Sequence, residues 1–129
     1  MDYAALIAFL SGESSPEIFV DVIRADVDLF HEALAHRRQA SLPRLEGIPF
    51  VMQKEHARRL LEAVRTYQIT DLSAIYIANC IVASETIEFA DEDVREAVFF
   101  LEDDSYRHLD DPKDDWLQTE AGRVLIRLR

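Results

Sequence analysis

At 129 residues, with 49% hydrophobic and 30% charged side chains, the chain has the size and make-up of one globular domain with a real core, which excludes a disordered protein. Only three glycines and four prolines interrupt a sequence rich in helix formers, so an all-α fold is expected. The net charge of −11 makes nucleic acid a poor partner and a basic protein a good one. A single cysteine, Cys80, permits no internal disulfide, and no basic leader precedes an apolar run, so the expected compartment is the cytoplasm.

In chain order, residues 2–10 read as a short apolar helix stopped by Gly12. Ser15 fits a helix cap, Pro16 the first helical position and Glu17 the positive end of the helix dipole. A long helix should then run to about His36, burying Phe19, Val22, Ile23, Phe30, Ala33 and Leu34. Residues 39–52 break the pattern with Pro43, Gly47 and Pro49. They read as a loop that packs down through Leu45, Ile48, Phe50 and Val51.

Gln53–Gln68 is amphipathic, with Ala57, Leu60, Leu61, Val64 and Tyr67 at helical spacing. Glu55 with Arg59 and Arg58 with Glu62 are expected to pair across its outer face. Thr70 caps the next helix, of which Leu72–Ala83 is apolar on every side and must be enclosed by others. That run is too short to cross a membrane and contains Asn79. Asp91 caps a fifth helix burying Val94, Ala97, Val98 and Leu101, widened by Phe99 and Phe100. After an acidic connection, a last helix, Thr119–Leu128, turns Ala121, Val124, Leu125 and Leu128 inward, with Gly122 weakening its start. The sole candidate for extended structure is a two- or three-residue piece at Thr86–Phe89. The expected architecture is therefore a single-domain bundle, 1–129, of five or six helices around a buried helix at about residues 71–83.

Two segments, ALIAFLSGESSPEIF and LLEAVRTYQITDLSA, read alike at an offset of 55, which pairs Ser15 with Thr70. Duplication would produce this, and so would any two capped helical hairpins.

The charge is segregated. Glu85–Glu120 holds 14 acids and 3 bases, a local net of −11, while Arg37–Arg65 holds 7 bases and 3 acids, a local net of +4. The acidic set is Glu88, Asp91, Glu92, Asp93, Glu96, Glu102, Asp103, Asp104, Asp110, Asp111, Asp114 and Asp115, with Tyr106 and Trp116 beside it. Such a face can offer carboxylates to lysines and arginines of a partner, with the aromatics as anchors. It can equally serve solubility alone, and Trp116 can equally plug the core.

Metal chemistry finds little support. Asp91, Asp93 and Glu102 fall at positions 1, 3 and 12 of an EF-hand frame, but Glu96 stands where that loop needs glycine. The four histidines, His31, His36, His56 and His108, have no ligand spacing, and Cys80 sits among apolar neighbours. No phosphate loop, nucleophile elbow or differentiated carboxylate pair is present, so neither an enzyme nor a metal or other cofactor is expected. The basic helix Lys54–Arg65 alternates with acids and lacks outward aromatics. It reads as a solvated face, or as one lying against this chain's own acids or those of a second copy.

The opening LIAFLSGESSPEIFVDVIRADVDLF resembles the start of small helical bacteriocin immunity proteins of the colicin D immunity type, through Leu6, Phe9, Gly12, Ser15 and Phe19. The likeness covers about 25 of 129 residues. It implies a bacterial helical bundle that blocks a cationic nuclease toxin with carboxylates, and it transfers no individual residue. Two functional expectations follow. One is a non-enzymatic acidic inhibitor of a basic nuclease or other nucleic-acid-binding protein, with its site at Glu88–Trp116. The other is a structural or oligomerising module, a homodimer among its forms, whose acids only keep it soluble.

Overall fold

The computed structural model describes residues 1–36, 42, 45, 47–102 and 115–129. Among them are six helices: α1 (Tyr3–Leu10), α2 (Pro16–Ala35), α3 (Lys54–Arg65), α4 (Asp71–Ala83), α5 (Glu92–Glu102) and α6 (Trp116–Arg127). Two short strands, β1 (Phe50–Met52) and β2 (Ile87–Phe89), complete the order. The fold is mostly helical, and one cluster of buried apolar side chains draws on all six helices, from Leu6 to Leu128. None of the described helices is long and apolar enough to cross a membrane.

Local chemistry sets the helix starts. Asp2, Ser15, Thr70 and Asp91 each accept a hydrogen bond from the backbone N–H three residues on. The two ends between α1 and α2 and between α3 and α4 are built alike. Glu13 and Ser14 N–H both donate to the Ala8 carbonyl, as Gln68 and Ile69 N–H both donate to that of Ala63. Gly12 (φ 81°) and Tyr67 (φ 59°) hold the left-handed position in these turns. Every one of these pairs keeps the offset of 55.

Eight of the thirteen residues of α4 are buried. It packs on α5, α2 and α3, while α3 reaches α1, α4, α5 and α6. Asn79 satisfies its amide by donating to the Ile75 carbonyl at 2.8 Å. Burial in the core raises the pKa values of the Tyr76 hydroxyl and the Cys80 thiol, that of Cys80 to about 11.

The structure corrects several expectations. Residues 50–52, read as loop, form β1, where β2 offers a parallel partner. The register Val51↔Glu88 turns both of these outward while Met52 and Ile87 go inward, so Val51 is exposed, as is Ile48. Thr86–Phe89 does become extended, over Ile87–Phe89. Val22 is 51% exposed, and Val27 takes the inward place on α2 instead. Tyr67 is exposed because α3 ends at Arg65 and the chain reverses there. Glu62 pairs with Arg65 rather than Arg58, which holds its carboxyl below the usual range. Arg59 turns inward to donate to the Leu10 carbonyl instead of meeting Glu55. α6 begins three residues earlier than expected, with Leu117 and Gln118 buried in its first turn.

Candidate functional site: an acidic surface on α5 and β2

Of the acidic set, Glu88, Asp91, Glu92, Asp93, Glu96, Glu102 and Asp115 are described, together with Trp116. Asp103, Asp104, Tyr106, Asp110, Asp111 and Asp114 lie outside the described residues. β2 places Glu88 on its solvent side. Asp91 holds the turn between β2 and α5, where its Oδ1 accepts from Val94 N–H at 3.0 Å.

Along α5, Val94, Ala97, Val98 and Leu101 are buried, so the opposite face belongs to Glu92, Asp93 and Glu96. That pattern follows from the helical period: positions 94, 97, 98 and 101 form one stripe and 92, 93 and 96 the other. Glu102, at the C-terminal end of the helix, is half-buried. Asp115 and Trp116 belong to the start of α6, and Trp116 is 39% exposed with its ring 6.0 Å from that of Phe100. It is neither a full core plug nor a free surface anchor.

Two of the described cations meet this surface. Arg95 reaches Glu92 at 3.7 Å and lies 5.0 Å from the centre of the Phe99 ring. Lys54, at the start of α3, stands 3.9 Å from Asp91, so one end of the basic helix does lie against the chain's own acids. The β1–β2 pairing produces that approach, because Met52 and Phe89 are partners and Lys54 and Asp91 each follow two residues later. Sequence reading missed Lys54 as a member of the site, since only a long-range parallel pairing brings it there. Glu88, Asp93 and Glu96 have no ion-pair partner among the described residues. Glu92–Glu96 and Asp93–Glu96 have i,i+4 and i,i+3 spacing, at which like charges repel by a few tenths of a kcal/mol each. Glu92 and Asp93 in the first turn recover part of that through the helix dipole.

Two cavities of about 710 Å³ lie elsewhere, one between the α1–α2 turn and α3, the other between α1 and Gly47–Phe50. Neither is lined by any of the acidic residues named above. Among the described residues, no three His, Cys, Asp or Glu side chains group closely enough to hold a metal ion. An exposed array of carboxylates without such grouping can attract, orient and hydrogen-bond cationic groups. Comparison of the chain with protein-family models, curated proteins and solved structures returns no match.

Proposed function

We propose that this chain is a cytoplasmic, non-enzymatic acidic protein that binds a basic protein through Glu88–Trp116. Its most concrete form is an immunity- or antitoxin-like inhibitor of a basic nuclease or other nucleic-acid-binding protein. The bundle, organised about α4, would act as a rigid support for the acidic surface. The observation that carries this reading is the set of exposed carboxylates Glu88, Asp93 and Glu96, which have no ion-pair partner among the described residues, with Asp93 and Glu96 at a mutually repulsive i,i+3 spacing. A partner's lysines and arginines would relieve that repulsion and release it as binding energy and faster encounter.

The test is a tagged pull-down from the source organism's lysate, eluted with a salt gradient, followed by affinity measurements on the captured protein. Replacing Asp91, Asp93, Asp103 and Asp104 by Asn should weaken binding at least tenfold and flatten its salt dependence. Unchanged affinity with an unchanged salt slope would sink the proposal.

A further inference from the structure

On α2, Ile18, Val22 and Leu29 are 61%, 51% and 67% exposed, and Ala25 between them is exposed too. Their spacing of four, three and four residues is that of a coiled-coil seam, so they form one straight strip along roughly 17 Å of helix. The core face of the same helix, Phe19, Ile23, Val27, Phe30 and Leu34, lies about a third of a turn away. The exposed apolar area of the strip is on the order of 300 Å², within the range of the largest patch on a typical monomer, which is often functional.

α1–α2 and α3–α4 repeat one turn geometry at an offset of 55. At that offset Ile18, Val22 and Ala25 correspond to Ser73, Ile77 and Cys80 of α4, all buried, and Leu29 to Ser84 at the C-terminal cap of α4, half-buried. Three of the four positions that α2 leaves open are thus closed in its counterpart.

Charge chooses the kind of helix. α2 carries five carboxylates and one arginine. Asp21, Asp28 and Glu32 form the row beside the strip, with Asp21 held by Arg24 at 2.5 Å and Asp28 without an ion-pair partner among the described residues. On the other flank Asp26 takes the terminal ammonium of Met1 at 2.5 Å. Two copies of this face would bring like charges together, whereas lysines or arginines flanking an apolar stripe would meet Asp28 and its neighbours. We infer that the Ile18–Leu29 face of α2 is a docking surface for an amphipathic helix of a partner protein, apolar at heptad spacing and basic along its edge. This surface is distinct from the acidic face on α5 and does not depend on the function proposed for it.

The probe is a synthetic 21-residue peptide with leucine at heptad a and d positions and lysine at the flanks. Its control has the same composition, reordered so that the leucines do not line one face. Fluorescence anisotropy should show the patterned peptide binding at least tenfold more tightly than the control. The advantage should vanish in Ile18→Ser/Leu29→Ser and shrink severalfold in Asp28→Lys, both exposed changes whose folding circular dichroism verifies. It should persist in Asp93→Asn/Glu96→Gln. Equal binding of the two peptides would mean bulk attraction to a chain of net charge −11 and would overturn the inference. So would loss of the advantage in the α5 variant alone. Sedimentation showing a dimer that Ile18→Ser/Leu29→Ser dissolves would assign the surface to a second copy and overturn it as well.

Discussion

Gly12 and Tyr67 occupy the same left-handed position in two turns with matching hydrogen bonds, at φ 81° and 59°. For glycine this conformation has no steric cost, whereas a side chain there brings Cβ against the following carbonyl at about 1 kcal/mol. Tyr67 offsets little of that, being 67% exposed. Tyr67→Gly is therefore expected to stabilise the protein by about 0.5–1 kcal/mol. Gly12→Ala should do the reverse, since its added Cβ would also lie 2.9 Å from the Arg59 guanidinium. Urea denaturation of the two variants checks the pair of signs. A destabilised Tyr67→Gly would show that the tyrosine ring, not the backbone, holds that turn.

This relationship also marks how far the sequence could be read. The hydroxyl caps Ser15 and Thr70, the Pro16 start and the apolar run of α4 were visible because each is a local signal with its own chemistry. The turn at Tyr67 was not, because the residue that would have announced it, glycine, is absent. Val22 was misplaced for another reason. α2 has two apolar stripes, and helical spacing alone does not tell which of them meets the core. The acidic surface was legible as a segment of charge. Its geometry was not, since Lys54 joins Asp91 only through the pairing of two three-residue strands. Strands of that length have no periodicity to detect.

Gln118 in the first turn of α6 donates its side-chain amide to Asp71 in the first turn of α4, which ties the two helices together. Its carbonyl oxygen is buried without a hydrogen-bond partner among the described residues. Gln118→Met removes the orphan acceptor, at the same time taking a donor from Asp71. A net loss of about 1 kcal/mol or less is expected. Gln118→Glu replaces that donor with a second carboxylate in a buried site and should cost about 2–4 kcal/mol at neutral pH. Equilibrium denaturation orders the three proteins. A Glu variant as stable as the Met variant would mean that Gln118 is not enclosed against Asp71 in solution.

His56 links α3 to its own cap. Its Nδ1 accepts from the Gln53 N–H at 2.9 Å, a role open only to an unprotonated nitrogen, and its ring lies 4.8 Å from that of Phe50. Burial lowers its pKa, Glu55 at 3.7 Å opposes that, and Arg59 adds to the lowering. The unfolded chain therefore takes up a proton at higher pH than the folded one. The contribution of His56 to stability is complete above about pH 6.5 and is lost as pH falls through the lower folded value. Stability measured in urea should drop between pH 7.5 and 5.5, and His56→Gln should reduce that slope whatever its effect at pH 7.5. An unchanged slope in the variant would place the pH dependence elsewhere.

Asp91 has two tasks that substitution can separate. One carboxylate oxygen caps α5 through Val94 N–H at 3.0 Å, and the other stands 3.9 Å from the Lys54 ammonium. Asparagine keeps an oxygen for the cap and discards the charge, whereas alanine discards both. Asp91→Ala should cost about 1 kcal/mol and Asp91→Asn no more than a few tenths, because the exposed ion pair contributes little. Thermal and urea unfolding of the two variants measures the difference. If the two lose stability equally, the charge and not the cap oxygen holds the start of α5. With the cap preserved, any loss of partner affinity in Asp91→Asn is due to charge rather than to a loosened helix. A single Asn variant that binds the captured partner normally would restrict Asp91 to the cap and leave Glu88, Asp93 and Glu96 as the described carboxylates that carry the interaction.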